Sequence, residues 1–230
     1  MIYDLSIVIP VFNNWSYTKN CISNLLKLPE SFEIIIVDNA SSDLTKTELS
    51  KFERVKHIRN ETNFGFGKAV SQGVQAAQSN QIMILNNDIK FGNVFQDWFL
   101  SLPQIIKDNN KLIGPTAGYV DPENEFSFVY ETSNKEDKIN YMSGWCLSAN
   151  RETWDKLETG DGPFDSKTFF LYFEDTDLSF RAKSLNIDFM LIDTPLKHIG
   201  KQTSKLLNIS KHYSESKVKF LNKWNNKYPF

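Results

Sequence analysis

Leu5-Ser6-Ile7-Val8-Ile9-Pro10-Val11 is a nearly unbroken apolar run of strand length, closed by Pro10 and the turn-forming pair Asn13-Asn14. A strand apolar on both sides belongs in a parallel sheet covered on both faces. From Trp15 to Leu28 the apolar positions change to helical spacing, with Cys21, Ile22, Leu25, Leu26 and Leu28 on one stripe and Pro29 beyond the end. Glu33 to Asp38 is a second buried strand whose polar tip, Asp38-Asn39-Ala40-Ser41-Ser42-Asp43, opens into a helix near Leu44 to Phe52. Val55 to Ile58 is a third, shorter strand; a glycine-bearing turn, Asn63-Phe64-Gly65-Phe66-Gly67, precedes a helix from Lys68 to Ala77. Gln81 to Leu85 is a fourth strand, ending in Asn86-Asn87-Asp88. Short strands alternating with helices describe βαβ units in a parallel, doubly wound sheet. Ligands of such sheets bind beyond the carboxyl ends of the strands, where three polar tips converge: Asn13-Asn14, Asp38-Asn39 and Asn86-Asn87-Asp88.

The second half is less regular. Phe95 to Ile106 has helical spacing, and Lys111 to Tyr130 breaks into short strands and loops around Gly114-Pro115 and Asp121-Pro122. Lys135 to Lys138 is expected as exposed loop, Tyr141 to Ala149 as a strand, and Glu152 to Leu157 as a short helix. Then an aromatic run, Phe169-Phe170-Leu171-Tyr172-Phe173, delivers Glu174-Asp175-Thr176-Asp177 to the start of a helix running through Leu185. A strand at Phe189 to Ile192, a loop holding His198, and an amphipathic helix from Tyr213 to Trp224 complete the chain. No repeat or low-complexity linker interrupts it. The expectation is one domain over 1–204, with a nucleotide-binding half (1–90) and an acceptor half (91–204), and a mobile, basic helical segment over 205–230.

Each chemical candidate has an ordinary structural reading beside it. An aromatic wall can hold a carboxylate as a tuned base, but Asp175 or Thr176 could equally be the N-cap of the helix, with Asp177 facing its dipole. Asp38 and Asp88 end two strands on one sheet edge. There a carboxylate can bind the N–H groups of a base or ribose hydroxyls, hold a hard cation shared with a diphosphate, or cap a helix. Asn63 to Lys68 has two glycines but Val70 where a dinucleotide fingerprint needs a third, and it does not follow the first strand, so nicotinamide binding is rejected. His198 is either a solvated loop residue or, if it reaches Asp88, part of a metal site.

Charge and composition narrow the setting. From Lys197 onward eight lysines face one acid, Glu215, for +7, which leaves −9 on the body of a chain whose net charge is −2. Such a tail suits an anionic membrane face, a phosphorylated acceptor or plain solvent. Cys21 and Cys146 match neither a metal spacing nor a disulfide framework, which points to a reducing cytosol. The N-terminus lacks signal-peptide features and no apolar run reaches membrane-spanning length. The expected location is cytoplasmic, with peripheral contact at the inner membrane face through the basic segment, and no nucleic-acid partner is expected.

Five ordered stretches together resemble the family 2 glycosyltransferases, inverting, nucleotide-sugar-dependent enzymes of GT-A fold, and within them a rhamnosyltransferase-like bacterial branch. They are Ser6 to Asn13, Ile36 to Asp43, Asn63 to Gly67, Leu85 to Asp88 and Phe170 to Leu178. The resemblance implies an α/β, Rossmann-like, mostly parallel sheet flanked by helices, with a smaller acceptor-side half. It implies that Pro10, Val11, Phe12 and Asn13 line the nucleotide pocket, that Asp38 and Asn39 read a pyrimidine, and that Asn63 and Gly65 border nucleotide and sugar. Asn86-Asn87-Asp88 occupies the place of the family's Asp-X-Asp motif, with Asn86 replacing its first acid. That leaves Asp88, and His198 beside it, to hold Mn²⁺ or Mg²⁺. Asp175 matches the catalytic base, with Glu174 and Asp177 as supports; Gly144 and Trp145 would meet sugar or acceptor, Trp145 being alternatively a core aromatic. The implied reaction moves a sugar from a UDP- or dTDP-linked donor to a hydroxyl of a glycan or lipid-linked acceptor in bacterial surface polysaccharide synthesis. The Asn86 departure supports the alternative, a non-catalytic nucleotide-sugar-binding domain of the same fold. A nucleotidyltransferase would need a basic, glycine-rich loop after the first strand, where Phe12-Asn13-Asn14-Trp15 stands instead.

Overall fold

The computed structural model describes residues 3–200, 209–225 and 227–230. Its first half follows the expected alternation: β1 (Leu5–Val11), α1 (Trp15–Leu25), β2 (Phe32–Asp38), α2 (Thr45–Glu48), β3 (Val55–Arg59), α3 (Phe66–Ala76) and β4 (Gln81–Leu85). Next come β5 (Ile89–Phe91), α4 (Phe95–Lys107), β6 (Leu112–Gly114), β7 (Ala117–Asp121) and β8 (Ser127–Thr132). The chain continues through β9 (Tyr141–Met142), β10 (Cys146–Asn150), α5 (Arg151–Lys156), α6 (Glu174–Ser184), β11 (Phe189–Leu191), β12 (Leu196–His198) and α7 (Ile209–Trp224).

Seven strands form the central sheet in the order β11-β6-β10-β4-β1-β2-β3. Only β10 runs antiparallel to its neighbours, β4 and β6; the other pairings are parallel. Side chains of β1 alternate between faces: Leu5, Ile7, Ile9 and Val11 join a core with Cys21, Ile22 and Leu25 of α1 and Phe99, Leu102 and Ile106 of α4. Val8 joins the opposite core with Ala69, Val70 and Val74 of α3 and Leu178 and Ala182 of α6. Both faces are covered, so the run carries no polar alternation. A third core, almost wholly aromatic, gathers Phe126, Tyr141, Phe169, Phe173, Phe180, Phe220 and Trp224 beside the smaller sheet β8-β7-β9.

Several expected boundaries move for local reasons. The first helix ends at Leu25 rather than Leu28, its last carbonyls closed by Leu26, Lys27 and Leu28 N–H groups in tighter turns. The helix expected over 44–52 is α2 followed by a 3₁₀ turn, Leu49–Lys51. The single strand expected over 141–149 is two, broken at Ser143-Gly144-Trp145 because β9 pairs with β7 while β10 enters the central sheet. His198 is not in a loop: β12 pairs antiparallel with β5, in register His198 with Ile89.

The C-terminal helix is the larger correction, since it is docked rather than mobile. Phe220 and Trp224 of α7 are buried, and Ser216 Oγ donates to Leu171 O at 2.7 Å. Asp177, wholly buried on α6, accepts from Arg181 Nε at 2.9 Å, Trp224 Nε1 at 2.8 Å and Lys223 Nζ at 2.8 Å. Lys219 donates to Thr168 O at 2.8 Å, and Lys217 lies 3.6 Å from Glu125. Three lysines of the basic segment thus have internal partners. The expected boundary between residues 204 and 205 lies outside the described residues.

Removing this buried carboxylate leaves the Arg181 guanidinium without its counter-charge and the Trp224 indole N–H without its acceptor, while Lys223 keeps Asp165 at 2.8 Å. Asp177→Ala is expected to lower stability by about 3–5 kcal/mol, read by chemical denaturation against the wild-type protein.

Candidate active site

A cavity of about 620 Å³ opens at the carboxyl ends of β1 and β4 and reaches across to the start of α6. Pro10, Val11, Phe12, Asn39, Asn63 and Gly65 line one side, and Asn86, Asn87, Asp88 and His198 its floor. Trp145 lies against this floor, and Gly144, Glu174 and Asp175 also line the cavity. Of the expected site residues, only Asn13, Asp38 and Asp177 stand off this lining.

Those three hold the others in place. Asn13 Oδ1 accepts from the N–H groups of Ser42 at 2.7 Å and Asp43 at 3.2 Å, joining the loops after β1 and β2. Asp38 is fully buried; Arg59, its register partner on β3, binds one carboxylate oxygen, and Ser41 N–H donates to the other at 2.9 Å. Arg59 also donates to Ser41 O at 3.0 Å and keeps partial exposure, so the guanidinium, not the carboxylate, meets solvent here. Asn39 ties the glycine turn down, donating to Asn63 Oδ1 at 2.7 Å and Gly65 O at 3.0 Å. Gly65 is required as glycine: its φ is +85°, and a Cβ would collide with the Phe170 carbonyl. Phe66 N–H donates to that same carbonyl at 3.2 Å, so the turn touches the aromatic run of the other half.

On the floor, His198 Nε2 lies 3.0 Å from Asp88 Oδ1 and 3.2 Å from Asn86 Nδ2. One ring nitrogen carries one proton or one lone pair, so it cannot satisfy both neighbours together. A lone pair facing a carboxylate is stable only with a proton or a cation between them. The separation also matches the roughly 3 Å between adjacent ligands of an octahedral ion bound at about 2.1 Å. The pair fits an Nε2–H···Oδ1 hydrogen bond, and equally a cation in place of that proton. Among the described residues no third acid, histidine or cysteine joins them, so a bound diphosphate would complete the shell. Trp145 stacks on the His198 ring, centroids 5.1 Å apart and planes within 9°, fixing the imidazole. Asn87 points away, donating to Thr18 Oγ1 of α1 at 2.8 Å.

Opposite this floor, Tyr172 and Phe173 take left-handed backbone (φ 68° and 65°) immediately before α6. Such conformations cost bulky residues about 1–2 kcal/mol each and persist only where packing imposes them. The kink starts the helix at Glu174, two residues earlier than an Asp175 cap and three earlier than a Thr176 cap would allow. Asp175 Oδ1 accepts from its neighbour Thr176 N–H at 2.8 Å and Oδ2 from Gly144 N–H at 3.1 Å. Gly144, at the break between β9 and β10, thus steers the carboxylate. Burial raises the Asp175 carboxyl above its ordinary range, opposed by the Gly144 and Thr176 hydrogen bonds and aided by the charge of Glu131. Burial raises Glu174 as well, with the Asp175 charge adding to it, and Glu174 Oε2 is buried without a partner among the described residues.

Glu131, Tyr141 and Tyr213 also line the cavity and were not expected from the sequence. Glu131 accepts from Ser143 Oγ at 3.0 Å. It lies on β8 in the irregular 111–140 segment; its one signal is the aromatic and β-branched run Phe128-Val129-Tyr130 before it, which marks a strand but not its destination. Arg59 was missed by ending the third strand one residue early.

With this geometry in hand, a sequence model described as Glycosyl transferase family 2 matches residues 6–176. The chain belongs to that family. It is 26% identical over 177 residues to Glycosyltransferase GlyG of Streptococcus pneumoniae serotype 4, covering 73% of this chain and 54% of that protein. An uncharacterized glycosyltransferase of Haemophilus influenzae is 32% identical over 85 residues, 36% of this chain and 29% of that protein. The chain thus spans about half or less of the length of these relatives. Among solved structures, GalNAc-T7 with UDP, GalNAc and Mn²⁺ superposes with a TM-score of 0.74 at 18% identity, over 99% of this chain and 49% of that one. Staphylococcus aureus TarS 1-349 in complex with UDP-GlcNAc gives 0.62 at 18%, over 96% and 67%. The fold is GT-A.

Two carboxyls raised in the folded state bind protons that the unfolded chain has released, so stability falls as pH rises through their raised values and is fully present below the ordinary carboxyl range. Glu174→Gln keeps the shape and removes the charge. Thermal unfolding should show wild type and variant melting together near about pH 4 and separating by about 2–4 °C per kcal/mol as pH rises to about 9, the variant higher.

Proposed function

We propose that the protein transfers a sugar from a nucleotide-diphosphate sugar, UDP- or dTDP-linked, to an acceptor hydroxyl with inversion, by direct displacement. The observation that carries this reading is that Asp175, Asp88 and His198 all line one cavity. Single displacement needs a base on the acceptor side and charge stabilisation on the leaving side, and no covalent intermediate. Asp175, raised by burial and held by Gly144 and Thr176, takes the proton of the attacking hydroxyl. Its raised basicity favours that transfer once it is ionised. Asp88 and His198 would hold Mn²⁺ or Mg²⁺, which when bound offsets charge growing on the leaving diphosphate. The turn of Asn39, Asn63 and Gly65 and the ends of β1 and β4 bind the nucleotide, with Asp38 orienting Arg59 and Ser41 at its edge. Asp177 keeps α6, and hence the base, in position.

The acceptor in this reading is a glycan or lipid-linked hydroxyl in bacterial surface polysaccharide synthesis. Contact with an anionic membrane surface would fall to the outward face of α7, where Val218 is exposed. Among the described residues no helix is long and apolar enough to cross a membrane. The competing reading, a nucleotide-sugar-binding domain without catalysis, draws on Asn86 and on the dependence of the cation site on a single carboxylate.

Measuring hydrolysis and transfer from UDP- and dTDP-sugars, with and without Mn²⁺, separates them. Asp175→Asn is expected to lower transfer by about 10²–10⁴-fold while donor affinity is kept, and chelation of the metal to weaken donor binding. Full transfer activity in Asp175→Asn would remove Asp175 as base; no turnover of any donor by the wild type favours the binding domain.

A further inference from the structure

Glu131 reaches the cavity because β8 carries one residue more than its partner. β7 and β8 pair Tyr119 with Tyr130 and Val120 with Phe128, so Val129 is left over as a bulge. Residues three apart in a regular strand face opposite sides; the bulge turns Phe128 and Glu131 to the same side. Phe128 packs there against Tyr141, Phe173 and Tyr213, with ring centroids 5.6, 5.1 and 6.2 Å away, and stays 39% exposed. Glu131 is exposed and lines the same cavity, accepting from Ser143 Oγ at 3.0 Å. Gly144, the next residue, gives its N–H to Asp175 Oδ2 at 3.1 Å. Two carboxyl groups are therefore held by consecutive residues, with an aromatic wall beside them.

Among the described residues no lysine or arginine lines the cavity, and none pairs with Glu131. Neighbouring carboxylates repel, and each disfavours ionisation of the other. A neutral hydroxyl on a ligand leaves that repulsion in place. An ammonium group removes it, and the exposed face of an aromatic ring attracts an ammonium as well. Resting on the glycosyltransferase reading above, we propose that Glu131 and the Phe128 ring bind a protonated amine of the acceptor, so that the acceptor is a sugar with a free amino group rather than a neutral glycan. The amine would lie close to the attacked hydroxyl, because Ser143 and Gly144 hold Glu131 and Asp175 side by side.

The test measures transfer at about pH 7, where the amine is mostly protonated, to the methyl glycosides of glucosamine, N-acetylglucosamine and glucose. Donor hydrolysis is followed in parallel. Wild type is expected to favour the free amine over both other glycosides by roughly 10- to 100-fold in kcat/KM. That preference should shrink to within a few-fold in Glu131→Gln and fall by about 2- to 5-fold in Phe128→Leu. Each preference is a ratio within one variant, so a general loss of activity does not imitate it. An amine glycoside that is not used while the donor is hydrolysed, one used no better than its acetylated or hydroxyl counterpart, or a preference intact in Glu131→Gln would each overturn the proposal and leave the reading beneath it standing. Neither hydrolysis nor transfer from any donor by the wild type would overturn that reading, and the proposal with it.

Discussion

The acceptor half depends on one carboxylate shut away from solvent. Asp177 binds Arg181 within α6 and Lys223 and the Trp224 indole from α7. Arg181 goes on to donate to the carbonyls of Leu157 and Pro163, both at 2.7 Å. Three segments distant in sequence are therefore held by one ion cluster, and the aromatic core fills the space around it. In a low-dielectric interior such a cluster is stable only when every charge is matched, which makes its geometry nearly all-or-none. The consequence reaches two residues back: with α6 fixed, the strained pair Tyr172-Phe173 has one way to enter it, and Asp175 emerges facing the cavity.

The two halves of the site are built on different physics. The nucleotide side is a set of strand ends and amide networks, where Asn13, Asn39 and Asn63 hold loops through backbone N–H groups and carbonyls. The acceptor side is carboxyls in an aromatic wall, where burial tunes basicity. They meet at Gly65, whose missing Cβ lets the turn reach the Phe170 carbonyl. One backbone contact thus ties the asparagine-held loops to the wall that carries Asp175.

Much of the nucleotide half could be read from residue pattern, because β1, β2 and β4 are buried on both faces and announce it by unbroken apolar runs. The polar tips beyond them converge for topological reasons, so Asn39 and Asn86 to Asp88 were legible as a lining. Pro10 to Phe12 came from the family resemblance, and the tip residues Asn13, Asn14 and Asp38 stand off the lining. Asp38 illustrates the limit: its strand-end position was clear, but its pairing with Arg59 depends on a register across β2 and β3. The acceptor half was harder. Glu131 reaches the site through a three-stranded sheet whose strands are short and irregular. The docking of α7 rests on Asp177, Lys223 and Trp224, whose 47-residue separation carries no local signal. The strained residues before α6 could not be foreseen at all, since nothing in an aromatic run favours left-handed backbone.

In the proposed displacement Asp175 is a base raised by burial. The pH dependence of kcat/KM for transfer tests it most directly. Protonation silences the base, so activity should fall on the acid side with an apparent pKa above the ordinary aspartate range, one shared between the adjacent Glu174 and Asp175 carboxyls. An acid limb that lies in the ordinary aspartate range, or that survives unchanged in Asp175→Asn, would contradict it.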